Sequence, residues 1–169
     1  QALYSPKSEI RLRLLERTER AVDPGWWRER LTASAGRRGD LRATAYRIVH
    51  GEGDAVPSLV VDRYDRWLVV QILSAGLETQ RESILQALVE TFAPEGILLR
   101  NDAPVRRREA LSLETVQAYG TVPREIEVRE GPVSYLAAPW SGQKTGAFLD
   151  QRPNRLLAGD LMPPGGRAL

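Results

Sequence analysis

The chain has 169 residues, 42% of them hydrophobic and 27% charged, enough to bury a core and form a globular protein. It has no cysteine, which excludes disulfides, thiolate metal sites and a cysteine nucleophile within the chain, and its single histidine, His50, argues against a histidine-based metal site. The net charge is only +2, yet Lys7 and Lys144 are the only lysines, so the positive charge is nearly all arginine, which suits phosphate and base contact but is also a common genome-wide preference.

No apolar run reaches the ~18 residues of a membrane span and no signal peptide is visible, so a cytoplasmic protein without a membrane partner is expected. Ile10-Arg11-Leu12-Arg13-Leu14 alternates apolar and cationic residues, the period of a half-buried strand. Tyr4-Ser5-Pro6-Lys7 reads as its turn or extended lead-in, with no partner strand before it. Asp23-Pro24 opens a helix, an Asp cap followed by proline at the first helical position, and Gly36 or Gly39 ends it. Trp26, Trp27 and Leu31 give that helix a partly apolar face. Adjacent tryptophans beside Arg28, Arg30 and Arg37 can stack on bases, though core packing or docking to a neighbouring domain is their commoner use.

Residues 43–50 read as a strand and Gly51-Glu52-Gly53-Asp54 as the turn after it. Residues 59–64 and 67–73 are β-branched-rich strands joined by a tight Asp65-Arg66 turn, which completes an antiparallel meander. Residues 76–92 carry Leu77, Ile84, Leu85, Leu88, Val89 and Phe92 at helical spacing, predicting one amphipathic helix on the sheet. Pro94-Glu95-Gly96 stops it before a short buried strand, Ile97-Leu98-Leu99. Arg106, Arg107 and Arg108 cannot share one helix face. Arg106 and Arg107 either form a phosphate-contacting edge or pin the loop through Asp102 or Glu109, and pinning is the commoner outcome. Ile126-Glu127-Val128 and Val133-Ser134-Tyr135-Leu136 form a hairpin through Glu130-Gly131-Pro132. The fold class is α+β: an antiparallel sheet with packed helices (EEHEE-like), then a hairpin and a helix.

The densest chemistry lies in Gly142-Gln143-Lys144-Thr145-Gly146-Ala147-Phe148-Leu149-Asp150-Gln151-Arg152-Pro153-Asn154-Arg155. Gly142 and Gly146 allow tight turns and close approach to a ligand. Gln143, Lys144 and Thr145 add an amide, a cation and a hydroxyl, and Asp150 can cap a helix over 151–158 with Pro153 in its first turn. The plain alternative is a glycine-bounded loop before a capped helix.

GQKTGAFLDQRPNR resembles the signature upstream of the cofactor-binding glycine loop in a family of S-adenosylmethionine-dependent RNA methyltransferases. These are the PUA-domain enzymes that form 5-methylcytosine in large-subunit ribosomal RNA. AYRIVHGEGDAVPSLVVDRYDRWLVVQ resembles the family's central-domain segment, with Ser58 where a glycine is usual, and ILLRNDAPVRRREAL resembles its next stretch. YSPKSEIRLRLL looks like the closing strand of the PUA module, and Gly-Gly-Arg-Ala-Leu at 165–169 like the approach to a Rossmann-like catalytic domain.

The resemblance implies four parts: a PUA remnant over 1–16, a linker helix over 17–40, a central α+β domain over 41–121, and the start of a truncated methyltransferase domain over 122–169. It implies S-adenosylmethionine as cofactor and ribosomal RNA as partner. By motif position, Lys144, Thr145, Gly146, Phe148, Asp150, Gln151 and Arg152 would close over the cofactor, with Arg152 suited to its carboxylate. Arg155 would hold the helix to neighbouring structure. Trp26, Trp27, Arg106 and Arg107 are the candidate RNA contacts. Methylation at carbon 5 needs a nucleophile on carbon 6, a cysteine thiolate in this reaction class, so no catalytic residue is expected within this chain and the nucleophile would lie beyond it. Self-association as a homodimer through a truncated, exposed edge is a further expectation. Competing readings are a non-catalytic RNA-binding or domain-bridging module, and a domain whose signature loop only packs against a neighbour.

Overall fold

The computed structural model describes residues 1–163 and 165. The β-branched runs form the middle of a five-stranded sheet in the order β3 (Ala45–His50), β4 (Leu59–Tyr64), β5 (Trp67–Ile72), β6 (Gly96–Asn101), β7 (Glu114–Gly120). β3, β4 and β5 make the expected antiparallel meander, with Tyr64 and Trp67 paired across the Asp65-Arg66 turn. β6, however, runs parallel to β5, so the sheet is mixed, a correction to the all-antiparallel expectation. The connection explains it. The chain crosses one face of the sheet as α2 (Ala75–Glu78) and α3 (Arg81–Phe92) before β6, and a crossover of that length can deliver a parallel strand where a tight turn cannot. The single helix expected over 76–92 is therefore two, the first capped by Ser74 Oγ accepting from Leu77 N at 3.3 Å.

β7 pairs antiparallel with β6 and lies on the sheet edge. The sequence had not signalled it, because none of its residues is fully buried and no apolar alternation marks it. At the amino terminus, β1 (Ala2–Tyr4) pairs with β2 (Leu12–Leu14), so the strand expected near residues 10–14 does have a partner before it.

Period-two alternation divides the central strands between two packed faces. Val61, Val70, Ile72, Ile97 and Leu99 lie on the face that α3 and α1 (Pro24–Gly36) cover. Tyr64, Val69 and Leu98 lie on the other, against Val128 and Ala137 of the hairpin β8 (Ile126–Glu130) and β9 (Val133–Ala137). α1 starts as the sequence predicts: Asp23 Oδ1 accepts from Trp26 N at 2.8 Å, and proline occupies the first turn.

Trp26 and Trp27 are wholly buried, edge to face with ring centroids 4.9 Å apart. Their indole N–H groups donate to Glu16 Oε2 at 3.2 Å and Gln80 Oε1 at 3.4 Å. Neither ring shows a face to solvent, so base stacking by this pair is corrected to core packing. Arg106 is likewise buried, at 1% exposure. Its guanidinium donates to Ser112 O at 2.9 Å, to Glu78 Oε2 at 2.8 Å and to Ile72 O. It is a structural brace rather than a phosphate contact, and it uses neither expected carboxylate: Asp102 pairs with Arg100, and Glu109 with Arg13.

Ser58 has φ +66, the left-handed region that glycine occupies freely and a serine only with strain. Ser58→Gly is expected to stabilise the protein by about 0.5–1 kcal/mol, relief of strain outweighing the extra freedom of glycine in the unfolded chain. Urea denaturation checks this, and an unchanged or lower midpoint would show that serine makes a compensating contact. The strand start expected at residues 167–169 lies outside the described residues.

Candidate binding site around the 142–155 segment

One half of the second sheet face is polar. Arg47, Asp62, Gln71 and Arg100 come one each from β3, β4, β5 and β6. Asp62 is wholly buried and receives Arg47 as a fork, Nε to Oδ1 at 2.8 Å and one terminal nitrogen to Oδ2 at 3.0 Å. Thr145 Oγ1 donates to the same Oδ2 at 2.6 Å, and the Tyr64 hydroxyl lies 3.2 Å from Thr145 Oγ1. Burial pushes the Tyr64 phenol up to about 12, so it stays protonated. Arg100, also buried, donates to Asp102 Oδ2 at 2.9 Å, to Gly142 O at 3.1 Å and to Pro139 O. The 138–146 loop is thus fastened to the sheet at two points by buried polar groups.

The loop also closes on itself. Gly142 N donates to Ala138 O at 2.7 Å, and Ala138 N to Gly146 O at 3.1 Å. Gly146 has φ +131, and a Cβ there would sit 2.9 Å from Pro139 Cα. A Cβ on Gly142 would sit 2.7 Å from Gly146 O. Both glycines serve this backbone approach.

Lys144 Nζ lies between the two Asp150 oxygens, at 2.8 and 2.9 Å, and 4.7 Å from the Phe148 ring centre. This hydrogen bond holds the Asp150 carboxyl below its usual range. Asp150 is therefore not the helix cap expected of it. A 3-10 turn, Leu149–Gln151, leads into α5 (Arg152–Leu161), whose capping position is Gln151 without a side-chain bond. α5 buries none of its residues completely. It is held by Arg152, which donates to Leu41 O at 2.9 Å, and by Arg155, which forks onto the buried Glu130 at 2.7 and 2.8 Å and donates to Phe148 O at 2.8 Å. Burial and the Glu130 contact raise the Tyr135 phenol, which donates to Glu130 Oε1 at 2.9 Å.

A cleft of about 460 Å³ opens beside the segment, with Leu41, Ala45, Ala147, Leu149 and Pro153 as apolar lining and Arg47, His50, Lys144, Asp150 and Arg152 as polar lining. Of the residues expected around a cofactor, Lys144, Asp150 and Arg152 line it. Thr145 is buried on Asp62, Gly146 lies in the loop closure, Phe148 stands under Lys144, and Gln151 is exposed and accepts from Asn154. Arg152 is the lining cation with no carboxylate partner among the described residues. Arg107 is exposed on α4 (Val105–Arg108), apart from this cleft. Arg47 and Asp62 went unremarked in the sequence. Their one signal was a carboxylate inside a β-branched strand, at a position where alternation buries it. A second cleft, also about 460 Å³, lies across Arg47 and Lys144 and is lined further by Gln71, Arg100, Asp102, Gly142 and Gln143. Among the described residues, no group of three His, Asp or Glu could hold a metal ion and no helix is long and apolar enough to cross a membrane.

This fold recurs in solved proteins described as methyltransferases. A Streptococcus mutans protein described as a SAM-dependent methyltransferase superposes with a TM-score of 0.76 at 20% identity, over 95% of this chain and 43% of its own. A protein described as a methyltransferase complexed with SAH gives 0.72 at 20% identity, over 86% and 37%. Sequence relates the chain to a more particular group. Ribosomal RNA large subunit methyltransferase I of Pseudoalteromonas atlantica is 36% identical over 160 residues, 92% of this chain and 40% of that protein. The protein of the same name from Tolumonas auensis is 38% identical over 164 residues, 92% and 41%. These proteins are homologues of the chain, which spans about two-fifths of their length. No family model matches the chain.

Proposed function

We propose that the chain is part of an S-adenosylmethionine-dependent methyltransferase acting on large-subunit ribosomal RNA, with carbon 5 of cytosine as the target. Its own share is a scaffold for the RNA and one wall of the cofactor site. The observation that carries this reading is the first cleft, where the Arg152 cation, without a carboxylate partner among the described residues, stands beside an apolar lining. That combination fits a ligand with a carboxylate at one end and an apolar body, as the methionine portion of the cofactor has. When bound, the cofactor supplies an electrophilic methyl group. Arg152 binds and orients the carboxylate with its remaining N–H groups, while Leu149 and Ala147 exclude water. Arg47, Asp62 and Thr145 hold the loop so that this wall keeps its shape. The thiolate that activates cytosine comes from elsewhere in the enzyme, since this chain has no cysteine.

Isothermal titration of S-adenosylhomocysteine into the whole product of the reading frame tests the proposal, and absence of binding would overturn it. Arg152→Ala is expected to weaken that binding roughly tenfold or more, the loss of a charge-assisted hydrogen bond. Unchanged affinity would remove Arg152 from the site. One observation favours a second reading, a domain-bridging module without a cofactor: Thr145, Lys144 and Arg155 direct their hydrogen bonds within the chain. Binding of S-adenosylhomocysteine that Arg152→Ala weakens would exclude it.

A further inference from the structure

The second cleft plays no part in the proposed cofactor role, yet its hydrogen-bonding groups are fixed and one-sided. Gln71 donates its amide nitrogen to Arg100 O at 3.0 Å, which settles the amide orientation and leaves Oε1 as an acceptor. Arg100 donates twice to Asp102 Oδ2, at 2.9 and 3.3 Å, leaving Oδ1 as another acceptor. Arg100 cannot swing toward a ligand, since it is buried and also donates to Pro139 O and Gly142 O. The exposed amide of Gln143 has no hydrogen-bond partner among the described residues. On the boundary with the first cleft stand two cations, Arg47 and Lys144. The Lys144–Asp150 pair is solvent-exposed, so its net stability is small and Lys144 can exchange that carboxylate for another anion at little cost.

Fixed acceptors on one side and cations on the other suit a ligand with N–H donors at one end and a phosphate at the other. We infer that this cleft takes one unstacked nucleotide of an RNA whose base carries an exocyclic amine, with the base on Gln71 and Asp102 and the phosphate toward Lys144. The inference rests on the proposed RNA substrate and adds a base-selective contact on the central sheet. A carboxylate accepts naturally from the N4 amine of cytosine, and the amines of adenine and guanine serve the same acceptors. Uracil carries the carbonyl oxygen O4 in place of that amine, which would face an acceptor with no proton between them, and its single N3–H can satisfy only one of Gln71 Oε1 and Asp102 Oδ1. Reading an unpaired base on its Watson–Crick edge is the usual route to RNA sequence preference.

Proton–nitrogen NMR of the chain, titrated with 5′-CMP, 5′-AMP, 5′-UMP and inorganic phosphate, tests this directly. CMP and AMP are expected to shift the side-chain amides of Gln71 and Gln143 and the backbone amide of Asp102, and to bind roughly fivefold or more tightly than UMP. Gln143→Ala, an exposed change, should weaken CMP. Asp102→Asn, which keeps the size but places an amide among the acceptors, should abolish the preference over UMP. Equal shifts from phosphate alone, equal affinity for CMP and UMP, or no shift at these residues with millimolar nucleotide would each overturn the inference. Such a failure stays distinct from failure of the methyltransferase reading, which the S-adenosylhomocysteine titration decides at the first cleft.

Discussion

Arg47→Ala is expected to lower the unfolding free energy by about 3–5 kcal/mol, because it leaves the Asp62 carboxylate buried with only Thr145 to bond it. Asp62→Ala should cost less. The group it orphans, Arg47, has a side chain 32% exposed and can be rehydrated, while the Thr145 and Tyr64 hydroxyls can still bond each other. This ordering is the opposite of what solvent exposure alone suggests, since the more exposed partner is the more damaging one to remove. Urea denaturation of both variants measures it. A loss below about 1 kcal/mol for Arg47→Ala would place the fork among pairs of the weak surface kind. Thr145→Ser, which keeps the hydroxyl, should sit close to the unsubstituted protein, whereas Thr145→Val leaves Asp62 Oδ2 with Arg47 alone and the buried Tyr64 hydroxyl without its Thr145 partner, and should cost about 1–3 kcal/mol.

The fold was legible where local chemistry decides it. Asp23-Pro24 announced α1, Asp65-Arg66 the β4–β5 turn, and Gly131 the β8–β9 hairpin. The direction of β6 was not local, although the helical span before it left room for a crossover. β7 stayed hidden because an edge strand has little apolar pattern to show. The fates of Trp26, Trp27 and Arg106 were undecidable from neighbours in the chain, since both readings use the same residues and differ only in what covers them.

The site divides in the same way. Residues 142–155 stood out by composition, but Thr145 meets Asp62 across 83 positions and Arg100 meets Gly142 across 42. Those partners gave the segment a purpose the sequence did not disclose. Much of the motif fastens itself to the sheet, and only part of it faces a cleft. Gly142 and Gly146, read as allowing tight turns and close approach to a ligand, serve the turn, and the space at their Cβ positions is filled by their own loop. A motif can therefore keep its residues for a reason one step removed from the ligand, by fixing the wall that the ligand meets.

Arg155→Ala separates those two purposes. It too strips the cation from a wholly buried carboxylate, Glu130, which keeps only the Tyr135 hydroxyl, and a global loss as large as that of Arg47→Ala would be the simple expectation. The difference lies in what can move. Arg47 belongs to β3, an edge strand but one laddered to β4 from Ala45 to His50, whereas α5 buries none of its residues completely and is held by Arg152 and Arg155. The variant can escape the buried-charge penalty by releasing α5 and letting water reach Glu130. The expected global loss is therefore only about 1 kcal/mol, with amide exchange in α5 rising to nearly unprotected rates. The effect on the proposed function is larger: Arg152 and Pro153 leave the first cleft with the helix, so the affinity for S-adenosylhomocysteine proposed for the whole product of the reading frame should fall tenfold or more. Protected α5 amides together with a loss above about 3 kcal/mol would show that the helix is part of the cooperative core after all. Unprotected amides with unchanged affinity would instead show that the cofactor does not use this wall.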